Sequence, residues 1–121
     1  MSAIDYKLDL LVGGLDDWAD AGWVMQTVSP SGLLGSSLRA LAIGLIAEVI
    51  VEGLVLPGDI IEGAHVPWRL SSADSIERIV STWLHEWKDE VPGPGSIVWL
   101  DNTAAGDELA RAALNQGDGA R

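Results

Sequence analysis

The sequence predicts an α+β domain with about four helices and a small antiparallel sheet. Three observations lead there. Apolar residues recur at helical spacing between Ile76 and Trp87. A nearly all-apolar run extends from Leu38 to Leu56. Short segments rich in β-branched and aromatic residues, among them His65–Leu70 and Ser96–Leu100, are bounded by Gly, Pro and Asp. A chain of 121 residues, 48% of them apolar, has the size and substance for one domain around one core. Residues 1–115 are assigned to that domain and 116–121 to a flexible tail.

From Asp5 to Val28, Leu8, Leu11, Leu15, Trp18, Gly22 and Met25 fall on one helical face, with Asp9, Asp16 and Asp20 opposite. Gly13-Gly14 interrupts this pattern, and two glycines cost a helix about 2 kcal/mol relative to alanine, which predicts a kink or a break into two helices. Ser29-Pro30-Ser31-Gly32 is a connector. A second helix runs from Ser36 or Ser37 to Gly53, with Glu48 and Glu52 marking a narrow polar side. So apolar a helix is either central in the core or covered by another subunit, which makes a homodimer one expectation. Gly53 suits a left-handed helix end.

Leu54–Leu56 then reads as a strand, Pro57-Gly58-Asp59 as a turn, and Ile60-Ile61 with His65–Leu70 as an irregular hairpin whose second strand Pro67 confines to an edge. Ser71, Ser72 or Asp74 can cap the next helix, which turns Ile76, Ile79, Val80, Trp83, Leu84 and Trp87 inward and Arg78, Ser81, His85 and Asp89 outward. Pro92-Gly93-Pro94-Gly95 stops it. Ser96–Leu100 is a strand, and Asp101-Asn102-Thr103 can cap a last helix from Ala104 to Leu114.

Charge narrows the function. Eighteen carboxylates against seven Lys and Arg give a net charge of −11. Such a surface repels nucleic-acid phosphates and anionic membranes, and favours basic protein partners or cations. Without cysteine there are no disulfides, thiolate metal sites or cysteine nucleophile. The stretch Leu38–Leu56 carries Arg39, Glu48 and Glu52, so it predicts a buried segment rather than a membrane span. Met1–Lys7 lacks the basic-then-apolar order of a secretory signal, and a cytoplasmic location is expected. Six tryptophans and no phenylalanine hint at recognition surfaces, because an indole joins apolar area to a hydrogen-bond donor.

Groups for catalysis are sparse. His85 and Asp89 have the i, i+4 spacing of a metal pair but lack a third ligand, and a solvated helix face accounts for them better. His65 beside an edge strand reads as an ordinary surface residue. Gly-x-Ser-x-Gly is absent, and Gly32–Ser37 lacks the lysine and spacing of a phosphate loop. No enzyme activity, cofactor or metal is therefore expected. Asp9, Asp16 and Asp20, with Asp17 at the margin, form an acidic row near Trp23. A row of this kind is commonly a solvated helix face. Its functional reading is a docking surface for a basic protein, with Trp23 as an aromatic anchor and long-range attraction speeding association.

Two passages resemble the winged-helix fold. Glu48–Val55 is similar to the helix-to-strand passage that leads into a wing, and Ile97–Gly106 to the strand, threonine and glycine sequence that closes the wing in MarR-type regulators. The resemblance implies that Thr103 caps the following helix. It also implies a transcriptional regulator or its dimerisation domain, although Leu38–Glu52 offers only Arg39 for reading bases. In overall style the chain resembles the small, acidic, tryptophan-containing immunity proteins of bacteria. That resemblance implies a protein-binding module that neutralises a basic toxin such as a nuclease. A domain that binds a small molecule through Trp68 and Trp99 is a third expectation.

Overall fold

The computed structural model describes residues 5–119, with side chains through Gln116. It is an α+β domain of five α-helices and a four-stranded antiparallel sheet. The glycine pair breaks the first helical segment as its propensity requires: α1 spans Tyr6–Gly13 and α2 Ala21–Val28. Between them the chain forms a two-residue strand, β1, at Ala19–Asp20. The predicted single face of Asp9, Asp16 and Asp20 therefore does not exist. Asp9 lies on α1, Asp16 in the turn after it, and Asp20 ends β1.

After a 3₁₀ turn at Ser29–Ser31, α3 covers Gly35–Val51 and buries Ala42, Leu45, Ile46, Val49 and Ile50. Gly53, at φ +73°, ends it: the Gly53 N–H donates to the Ile50 carbonyl and the Leu54 N–H to the Val49 carbonyl. This pair of bonds satisfies two of the carbonyls orphaned at the helix end and turns the chain into the sheet.

Strand β2, Val55–Ile61, contains the Pro57-Gly58-Asp59 segment expected to be a turn. Proline removes one ladder donor, but the Pro57 carbonyl still accepts from the Trp68 N–H at 3.0 Å. The reversal comes instead at Glu62-Gly63, both at positive φ, and leads into β3, Ala64–Pro67. Strand order is β1-β4-β2-β3, so β3 with Pro67 is an edge strand, as expected. The expected strand at Ser96–Leu100 is displaced: β4 is Trp99–Asn102, because Ser96 and Val98 are held in the turns that follow the Pro-Gly segment.

Helix α4, Ser72–Thr82, is capped by the Ser71 side chain, which accepts from the Asp74 N–H. Its C-terminal continuation, Trp83–Trp87, widens into a π turn in which the Lys88 N–H donates to the Trp83 carbonyl. The extra residue in that turn rotates the helix end. Trp83 is fully buried, while Leu84, expected in the core, is 43% exposed. Thr103 caps α5, its hydroxyl accepting from the Gly106 N–H. Helix α5 spans Ala104–Gly119, past its expected end at Leu114, and 120–121 lie outside the described residues.

The order α3, β2, β3 matches the helix-to-hairpin passage of a winged helix and is compatible with that fold, with β4 lying between β1 and β2. Among the described residues no single helix is long and apolar enough to cross a membrane.

Helix packing yields a pair of opposed expectations. Gly106 sits against the Leu54 carbonyl, where a methyl group has no room, whereas Gly44 on the exposed side of α3 meets nothing. Gly106→Ala should lower stability by about 1–3 kcal/mol through overpacking. Gly44→Ala should raise it by up to about 1 kcal/mol through helix propensity. Urea unfolding midpoints of the two variants test this directly.

Candidate functional site

Side chains alternate across a strand, and the register assigns each to a face. Ala19, Leu100, Val55 and Pro57 point to the inner face and are buried under the helices. Asp20, Trp99, Asp101, Gly58 and His65 fall on the outer face. The turn between α1 and β1 closes over that face: the Trp18 ring is tilted against the His65 ring with centroids 6.4 Å apart.

His65 departs from its expected place on the surface. Its backbone is on the edge strand, yet its side chain is only 3% exposed. Gly58 provides the space, because a Cβ there would collide with the imidazole and with the Val66 carbonyl. The ring reaches across β2, and its Nε2–H donates to the Trp99 carbonyl at 3.0 Å. Nδ1 is buried, has no hydrogen-bond partner among the described residues, and lies 4.0 Å from Asp101 Oδ2. A buried polar atom left unpaired costs about 1–3 kcal/mol.

In front of Asp101 lies a cavity of ≈260 Å³, lined by Gly14, Leu15, Asp16, Asp17, Trp18 and Asp101. Asp17 is partly used by the fold, since its Oδ1 accepts from the Trp18 N–H at 2.8 Å. Asp16 is exposed and its carboxylate accepts no hydrogen bond among the described residues, and the Asp101 side chain is 42% exposed. Carboxylates therefore approach the cavity from both the α1–β1 turn and β4.

A second concavity follows α1. Its apolar floor lies between α1 and α5, with Leu8, Val12, Ala113 and Leu114 below and Asp5 and Asp9 at the rim, in a volume of ≈580 Å³. Farther along the same helix pair, Leu109 and Ala112 extend the apolar lining. Leu109 and Leu114 are 40% and 46% exposed. The groove reaches Gly13, and the acidic cavity begins at Gly14. Trp23, 41% exposed, lies on Gly13, where an added Cβ would stand 3.1 Å from its ring.

Four of the five residues predicted as a partner-binding row thus lie along this surface, though not as a helical stripe. Asp9 rims the groove, Trp23 covers Gly13, and Asp16 and Asp17 line the cavity. Asp20 serves the fold instead. Its Oδ1 accepts from the Trp23 N–H at 2.9 Å and its Oδ2 from the Gly95 N–H at 2.7 Å, capping α2 and tying the Pro-Gly loop to β1. Sequence reasoning missed Trp18 as a cavity wall, Asp101 as its third acid and His65 as a buried neighbour. The signal available was strand alternation through Trp99-Leu100-Asp101, but the strand was expected to end at Leu100, and the pairing that brings Asp101 to the Asp16 turn is long-range.

Lys7, which also lines the extension of the groove, bridges Glu48 and Glu52 of the α3 end at 3.2 and 3.0 Å. Hydrogen bonds to Glu52 and then Glu48 hold its amine above the usual lysine value. His85, considered with Asp89 as a metal pair, has Nδ1 2.7 Å from the Ser81 carbonyl, while Asp89 pairs with Arg39 at 2.9 Å. Among the described residues no group of three or more His, Asp or Glu is placed to hold a metal ion.

The aspartates should separate by role. Asp20→Ala is expected to cost about 1–2 kcal/mol through loss of a helix cap. Asp16→Ala should stay within about 0.5 kcal/mol of the parent, as exposed substitutions do. Parallel thermal and urea unfolding of the two variants distinguishes them.

Comparison with protein-family models, with curated proteins and with solved structures found no match.

Proposed function

We propose that this chain is a protein-binding module that captures a basic protein along the α1–α5 groove and the adjoining acidic cavity. The observation that carries the reading is the succession of the two along the chain: an exposed apolar floor with acids at its rim has Gly13 in its lining, and a cavity lined by three aspartates has the adjacent Gly14. An apolar floor suits the nonpolar face of a partner helix, and acids at the rim select a basic one. The net charge of −11 extends the same preference to long range.

A toxin-neutralising inhibitor of the immunity-protein kind fits this reading, because a toxin that grips nucleic-acid phosphates presents the positive surface this face complements. A cytoplasmic site of action belongs to the same proposal. The second reading, a winged-helix-like regulator or dimerisation domain, draws on the α3–β2–β3 order. The acidity of the chain weighs against its reading of DNA.

Immobilised wild-type protein and an Asp9→Asn/Asp16→Asn/Asp101→Asn variant test the proposal by capture from host lysate after nuclease treatment. A basic protein retained by the wild type, eluting with rising salt and retained about tenfold less by the variant, is the expected outcome for surface charges that steer association. Equal retention by both would remove the acidic face from the interaction. Recovery of nucleic acid before nuclease treatment, lost after it, would favour the regulator.

A further inference from the structure

We infer that the cavity between the β2–β3 hairpin and the start of α4 binds a small carboxylic acid with a single-ring apolar body, its carboxylate at Ser72 and Ser75 of the α4 N-terminus. The lining of this cavity shares no residue with the groove or with the acidic cavity, and the inference does not rest on the protein-binding reading.

Size sets the first limit. The cavity holds ≈180 Å³, and Ile50, Val55 and Pro57 in its lining are buried and apolar. An apolar cavity of about 150 Å³ already accepts a benzene ring, so one ring fits. Cofactor-sized molecules, which need about 300–1,000 Å³, do not. Charge sets the second limit. The groove and the acidic cavity both have carboxylates in their linings, whereas this cavity has none, in a chain of net charge −11. Asp59 and Asp74, on the neighbouring elements, stand outside the lining, and Asp59 accepts from the Trp68 indole N–H at 3.0 Å. Cations are close instead. The Arg78 guanidinium stacks 4.0 Å from the centroid of Trp68, a lining residue, and Arg69 lies between the lining residues Trp68 and Leu70 in the chain. Among the described residues neither arginine forms an ion pair.

Ser75 supplies an independent observation. It lines the cavity from the buried face of α4, one turn before Ile79, and is 1% exposed. Other hydroxyls in this fold are taken up by the backbone. Thr27 donates to the Trp23 carbonyl, Ser29 to the Gln26 carbonyl, and Thr103, also in the lining, to the Gly53 carbonyl. Only the backbone N–H of Ser75 is committed, to the Ser71 carbonyl at 2.9 Å, and its hydroxyl makes no hydrogen bond among the described residues. A buried hydroxyl in that state has a donor to give. The helix end adds to it. Ser71 takes the N–H groups of Asp74 and Ser75, while those of Ser72 and Ala73 have no partner among the described residues. Orphan donors and the helix dipole together favour an anion there. A carboxylate accepts from the Ser75 hydroxyl at this end while its ring fills the apolar part of the cavity. Of the two tryptophans expected to hold a small molecule, Trp68 lines this site and Trp99 does not.

Titration of the ¹⁵N-labelled chain with sodium benzoate, and separately with benzyl alcohol, tests the assignment. Saturable shifts are expected with benzoate at the Trp68 indole N–H and the amides of residues 70–75, and benzyl alcohol should bind about tenfold more weakly. Ser75→Ala should weaken benzoate binding by about tenfold, the scale of one hydrogen bond to a charged group. Trp68→Leu, which removes part of the cavity wall, should also weaken it and gives a second variant should Ser75→Ala fail to fold. No saturable shift at these positions, shifts confined to other residues, or unchanged affinity in the folded variants would overturn the inference. Equal affinity for benzyl alcohol would overturn the carboxylate assignment.

Discussion

The geometry of the candidate site depends on the two hydrogen bonds accepted by Asp20. One carboxylate oxygen caps α2 and the other holds the Gly95 amide, so a single side chain joins the end of β1 to the loop that precedes β4. With that end of β1 fixed, the chain from Gly14 to Trp18 passes over the outer face of the sheet, where Trp18 meets His65. That passage brings Asp16 and Asp17 to the same cavity as Asp101 of β4. The glycine pair has the complementary role. It ends α1 early enough for the turn to form, and its lack of side chains admits Trp23 against Gly13 and the Asn102 side chain against Gly14. Asn102 in turn donates to the Leu11 carbonyl at 2.8 Å, locking the helix end to β4.

A second junction stabilises the opposite end of the sheet. The Thr103 N–H donates to the Leu54 carbonyl and its hydroxyl donates to the Gly53 carbonyl while accepting from Gly106. The exit from α3 and the entry to α5 are thereby joined, which places α5 beside α1 and creates the groove between them. The inner sheet face and the helices form the core. The outer face carries Trp18, His65, Trp99 and Asp101. Among the described residues, His65 Nδ1 on that face and Trp83 Nε1 in the core are buried side-chain atoms without a hydrogen-bond partner.

Much of the fold was legible in local signals. Gly13-Gly14, Gly53, Ser71, Thr103 and the Pro-Gly run end or begin elements where helix propensity and capping chemistry require. Misreadings occurred where long-range pairing overrode those signals. Pro57-Gly58-Asp59 has turn composition, yet hydrogen bonds to β3 and β4 draw it into a central strand. The π turn at Trp83 shifted the helical phase by one residue, which exposed Leu84. For the site, the residue types were legible and their arrangement was not. Asp9, Asp16, Asp17 and Trp23 stood out as acids near an aromatic, but a continuous helical wheel placed Asp20 among them. Its spacing three residues before Trp23 is that of a cap, and that spacing was the available clue. His65 and Asp101 lie 36 positions apart in the sequence, and only the sheet register relates them.

Site-specific photo-crosslinking in the native host addresses the central claim, that partners dock on the α1–α5 groove and its acidic end, most directly. A photoreactive residue at Leu114, in the groove, is compared with one at Glu77, exposed on α4 away from it. The account predicts a discrete crosslink to a basic protein from position 114 and none from position 77. Crosslinking from position 77 alone would contradict it and place the binding surface on the other side of the molecule.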